Sequence, residues 1–225
     1  MQIKPYILLA DKKTAIYEPN RMYSQQEVYG IVFSDISGEH IRVLSTKEFK
    51  GHPLLESGVK MSGINLYSNE VDALFDFNGK KNTYKFNITG SEVVKIIKEQ
   101  CGDEWFIPSL GELISAIHCR DEINNLLFHV ENSYNLSEST HKWTSSMYDQ
   151  YSAYIYLGNC CSLFSNDLCI ENTVTPITFL PEGAPRSEIE KTEVFKTSTN
   201  EIHLSNSNEL LVEINNGNTN IKIYR

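Results

Sequence analysis

The stretch WFIPSLGELISAIH at residues 105–118 decides the fold class. Ser109-x-x-Glu112, just after Pro108, is a capping-box pattern, in which a hydroxyl and a carboxylate each serve the unpaired N–H groups of a helix start. Leu110, Leu113, Ile114 and Ile117 follow at offsets of three, four and seven, which is one apolar face of a helix over 109–119. Working outward, Thr89-x-x-Glu92 is a second capping-box pattern. It precedes Val93, Val94, Ile96 and Ile97, with Gly102 placed to end that helix after Cys101. A shorter helix over Asp121–Phe128 turns Ile123, Leu126 and Leu127 inward.

Away from this helical middle the period changes. Ile3–Leu9, Tyr29–Ser34 and His40–Leu44 read as strands, with a glycine-containing turn at 36–39. Beyond His141, Ala153–Leu157 is apolar and aromatic, Leu163-Phe164 is isolated, and Val174–Leu180 reads as a closing strand, with Pro176 marking an edge or a bulge. Residues Lys50–Thr83, rich in Gly, Ser, Asn and Pro, read as long connections. The clean switch of period predicts an α+β fold, helices packed on a sheet built from the early strands and the segment ending at Phe179. The expected organisation is a β-rich segment at 1–60, a central domain at 61–180, a Pro/Gly/Ser/Glu linker at 181–191 and a small β tail at 192–225.

The 225 residues suffice for one large domain or one domain with appendages, and 40% hydrophobic against 22% charged residues is a globular composition. Twenty Lys and Arg against 29 Asp and Glu leave a net charge of -9, so nucleic acid is not an expected partner. No apolar run is long enough to span a membrane, and the opening MQIKPYILLADKK lacks the apolar length and cleavage site of a signal peptide. Membrane insertion is therefore not expected, and folding in a cytoplasm is.

The six histidines and five cysteines show no metal-ligand spacing, so neither a metal nor another cofactor is expected. Nothing cationic adjoins Cys160-Cys161 to lower a thiol pKa. There is no phosphate loop, nucleophile elbow or defined acid pair, and the chain reads as non-enzymatic. Glu18-Pro19-Asn20 matches a calcium-lectin triplet but lies most of the chain away from Ser165-Asn166-Asp167, so a proline turn accounts for it. The composition between Trp143 and Asn172 stands apart, because tyrosines alternate there with Ser, Asn and Asp. Rigid tyrosines beside small polar residues suit a binding loop, and equally a half-buried β region with polar turns. The candidate ligand-binding residues are Tyr148, Tyr151, Asn159, Asn166 and Asp167, with Tyr148 and Tyr151 the anchors.

In order, Trp105-Phe-Ile-Pro-Ser-Leu-Gly-Glu-Leu113, Ile123-Asn124, Trp143-Thr-Ser-Ser146, Tyr154 and Val174-Thr-Pro-Ile-Thr-Phe179 resemble a known series. It is the C-type-lectin-like domain, related to formylglycine-generating enzymes, that is common in Bacteroidetes and their tailed phages. Asp76-Phe-Asn-Gly-Lys-x-Asn-Thr83 resembles a segment that often precedes it, extending the likeness to about residues 60–180. Thr175 stands where the family usually carries arginine, and Cys160, Cys161 and Cys169 do not align with reactive cysteines of the enzymes. The resemblance implies a lectin-like surface on a virion protein of a Bacteroidetes-infecting phage: a capsid decoration, head fibre or tail-associated adhesin. Its implied partners are other copies of itself, other virion proteins and a host-surface glycan or protein. The alternative is an exported bacterial adhesin or pilin-like carbohydrate binder at the cell surface.

Overall fold

The computed structural model describes residues 3–36, 40–137, 140–157 and 162–186, together with the backbone of two strands at 210–215 and 220–224. The chain divides into two units, Met1–Arg186 and Ser187–Arg225. The first is a mixed α+β structure whose described residues form two five-stranded sheets and five helices.

One sheet is antiparallel and holds β1 (Tyr6–Leu9), β2 (Ala15–Ile16), β3 (Val28–Ser34), β4 (Ile41–Leu44) and β10 (Ile177–Phe179) in the order β10-β4-β3-β1-β2. The β-branched and aromatic run Ile31-Val32-Phe33 at its centre is fully buried. The first expected strand starts only at Tyr6, beyond Pro5, which has no N–H to give a ladder. The second sheet holds β5 (Phe49–His52), β6 (His141–Met147), β7 (Ser152–Leu157), β8 (Ser162–Asp167) and β9 (Asn172–Val174) in the order β5-β9-β6-β7-β8. Its strands are antiparallel except at the parallel β6–β9 pair.

Four expectations change. Val174–Leu180 is not one strand: β9 and β10 lie in different sheets, and Thr175-Pro176 carries the chain between them. Proline cannot donate to a ladder, so the strand breaks where its residue stands. Leu163-Phe164 is not isolated but belongs to β8, paired along its whole length with β7.

The supposed connection over Lys50–Thr83 contains part of β5, the short helix α1 (Glu70–Ala73) and the start of α2 (Gly79–Thr89). Thr89 caps nothing. It ends α2, donating its hydroxyl to the Lys85 carbonyl at 2.8 Å, and Gly90 closes that helix in the left-handed conformation at φ 100°. Ser91 then opens α3 (Glu92–Cys101). The helices α4 (Leu110–His118) and α5 (Arg120–Leu127) fall where the 3.6-residue period places them, and α4 starts with the expected capping box.

Trp143 is fully buried, Trp105 is 4% exposed, and both belong to a core shared with Tyr6, Val43, Phe86, Val94 and Ile97. In the second unit, β11 (Leu210–Asn215) and β12 (Asn220–Tyr224) form an antiparallel hairpin. Cys160 and Cys161, residues 37–39 of the expected turn, residues 187–191 of the expected linker and residues 192–209 of the tail lie outside the described residues.

Candidate binding face

The polar residues of the motif series are absorbed by the fold. Asp76 is 1% exposed. Its Oδ1 accepts from the Asn78 backbone N–H at 3.0 Å and from Asn78 Nδ2 at 3.1 Å. Its Oδ2 accepts from Asn82 Nδ2 at 3.0 Å and Ser146 Oγ at 2.7 Å. Register slips along β6 between Trp143 and Met147, and this irregularity lets Ser146 face Asp76 while its own oxygen takes the Leu110 N–H at 2.8 Å.

Glu112 is equally buried. Its Oε2 takes the Ser109 N–H at 2.9 Å and its Oε1 takes Arg42 Nε at 3.1 Å. Burial pushes the Glu112 carboxyl up, against the opposing pull of the Arg42 guanidinium and the Ser109 groups. Gly79 is required here, since a Cβ on it would stand 2.2 Å from Glu112 Oε2. A second buried pair joins Lys142 Nζ to Glu48 Oε1, which also accepts the Thr175 hydroxyl at 3.0 Å. Thr175, at the resembling family's arginine position, thus donates to a carboxylate whose cation is Lys142. Desolvation offsets much of the attraction in such buried ion pairs, so they add little net stability.

The candidate face lies at one end of the second sheet. Tyr148 and Tyr151, 43% and 51% exposed, flank the turn from β6 to β7. Asp149 organises it, its Oδ1 accepting the backbone N–H groups of Tyr151 at 2.7 Å and Ser152 at 2.8 Å. Burial works to raise the Asp149 carboxyl, but those donors hold it below its ordinary value. The β7–β8 register sets Ser152 opposite Asp167 and Ala153 opposite Asn166, and the Leu168 N–H reaches the Tyr151 carbonyl at 2.9 Å. Tyr151, Asn166 and Asp167 therefore meet at one end of the sheet, with Asp167 exposed and Asn166 half-buried. Asn159 lies outside the described residues.

Tyr148 packs edge-on against Tyr154 at 5.8 Å between ring centres, and Tyr154 is buried with its hydroxyl on the Tyr67 carbonyl at 2.9 Å. The tyrosines thus divide, 154 and 156 into the core and 148 and 151 onto the surface. Chemically the face offers phenol rings, a free carboxylate and amide groups, which suits contact with a partner. Among the described residues no group of three or more His, Cys, Asp and Glu is arranged to hold a metal ion, and no helix is long and apolar enough to cross a membrane. Burial raises the thiols of Cys101 and Cys119, the latter to about 11, which keeps both protonated.

Sequence reasoning missed a second exposed surface, on α2, where Lys80, Lys81 and Tyr84 border Phe77 and Phe179. Its signal was the adjacent lysine pair in an acidic chain, hidden because the segment read as a connection.

No protein-family model matches the chain, and no curated protein matches it. Among solved structures, the chain is similar to a fimbrial protein from Bacteroides ovatus ATCC 8483, with a TM-score of 0.56 and 14% sequence identity over 80% of this chain. The match covers 49% of that protein, so this chain spans about half its length, and at that identity the likeness is one of fold.

Proposed function

We propose that the chain is a pilin-like surface protein, non-enzymatic, whose Tyr148–Asp167 face makes contact with a partner. The observation that carries this reading is the fold likeness to the fimbrial protein, spread over most of the first unit. The chemistry of the described residues agrees with it. The buried carboxylates at 48, 76 and 112 are occupied by ion pairs and hydrogen bonds within the fold, while the exposed tyrosines are free of such duties. On this reading residues 61–180 carry the C-type-lectin-like arrangement that the motif order implies, and the partner is a cell-surface glycan or protein or another copy of the chain. The second unit serves assembly, because a two-stranded hairpin buries too little apolar surface to stand alone.

A second reading, a phage virion protein, draws on the motif series from Trp105 to Phe179. Immunogold labelling separates the two, using serum against the purified chain on cells of the producing organism and on phage particles from the same culture. Label on the cell exterior supports the pilin-like reading. Label confined to particles moves the protein to the virion, and label confined to the cytosol contradicts both.

A further inference from the structure

The outer face of α2 has no part in the core. Lys80, Lys81, Tyr84 and Ile88 follow at helical steps of three and four, and Tyr84 and Ile88 are each 61% exposed. Phe179, 41% exposed at the end of β10, stands beside them, and with Phe77, Asn78, Lys80, Lys81 and Tyr84 it lines a groove of about 450 Å³. Two cations touch the Phe179 ring, the Arg42 guanidinium at 4.6 Å from its centre and Lys80 Nζ at 5.5 Å. Arg42 is matched by Glu112, but no ion pair among the described residues involves Lys80 or Lys81.

In a chain of net charge -9, this is a local excess of positive charge around exposed rings, complementary to an anionic partner. The Asn78 amide nitrogen is already held by Asp76, so the groove offers ring faces and ammonium groups rather than a set of directional hydrogen bonds. That chemistry fits an apolar side chain flanked by carboxylates better than a saccharide. We propose that the groove docks an acidic peptide segment of a partner protein, its apolar anchor between Phe77, Tyr84 and Phe179 and its carboxylates on Lys80 and Lys81. This holds whether or not the pilin-like reading does.

The test is an NMR titration of the full isotope-labelled chain with the blocked peptide Glu-Glu-Phe-Glu-Glu. Amide shifts cluster at residues 77–84 and 177–180, and binding weakens as salt shortens the Debye length. Lys80→Glu with Lys81→Glu, and separately Tyr84→Ala, each weaken binding by roughly tenfold. All three side chains are exposed, so an unchanged melting temperature shows that each variant folds. Scattered or absent shifts, or equal binding of Lys-Lys-Phe-Lys-Lys, overturn the proposal. Shifts at the same residues from trigalacturonate but not from the acidic peptide overturn it in favour of an acidic saccharide.

Discussion

Asp76 and Asp149 do similar local work in opposite surroundings. Each accepts a backbone N–H two residues ahead and fixes a bend, Asp76 before α2 and Asp149 between β6 and β7. Asp76 is sealed from water and also gathers Asn82 from the following helix and Ser146 from a distant strand, whereas Asp149 sits in solvent between two exposed tyrosines. Burial, and not residue type, separates the polar groups that build this fold from those left for recognition. An unpaired donor costs far more in the interior than at the surface.

The sharpest way to break the comparison is to remove the buried member. Asp76→Ala leaves the Asn78, Asn82 and Ser146 donors without an acceptor and should cost about 3 kcal/mol or more, read from urea denaturation. Gly79→Ala tests the same region sterically. Its Cβ would meet Glu112 Oε2 at 2.2 Å and Ser109 N at 2.8 Å, and the overpacking should cost about 2 kcal/mol on the same assay.

A smaller effect lies at high pH. Burial first, then the charges of Glu70, Tyr148 and Asp72, push the Tyr154 hydroxyl up from 10.0 to about 12. Since the folded value is the higher one, the stability that Tyr154 contributes is complete below pH 10 and is lost as the pH rises through about 12. Tyrosinate absorbance followed alongside circular dichroism should show late titration coinciding with unfolding, and Tyr154→Phe should lose one of several late-titrating groups, since burial also raises Tyr6, Tyr29, Tyr67 and Tyr134.

Removing residues 187–225 should change the melting temperature of the first unit by no more than a few degrees while abolishing self-association in analytical ultracentrifugation. A truncated chain with the sedimentation of the full one would remove the assembly role from the hairpin.

The helices at 110–118 and 120–127 were legible because their apolar residues repeat at the helical period and a cap announces the first of them. The helix at 79–89 was not, for a physical reason. Its buried residues include Gly79 and Thr83, whose neighbours, Glu112 and the Ile107 backbone, are remote in sequence, and Asn82, which donates to Asp76. No apolar stripe marks such a helix. Pro176 marked an edge or a bulge within one expected strand, and only the pairing of β10 with β4 reveals that the strand breaks and the chain changes sheets there. At the proposed face, the tyrosine-rich composition marked a stretch that holds both exposed and buried tyrosines. Alternation along β7 could not say which tyrosines point outward, because the strand is buried on both faces.

The central claim, that the exposed Tyr148 and Tyr151 rings are spared from folding duty, is tested most directly by the double variant Tyr148→Ala/Tyr151→Ala set beside Asp76→Ala in urea denaturation. The double variant should lie within about 1 kcal/mol of the parent chain while Asp76→Ala falls by several times that amount. A loss in the tyrosine variant equal to that of Asp76→Ala would place both rings in the structural framework and contradict the account.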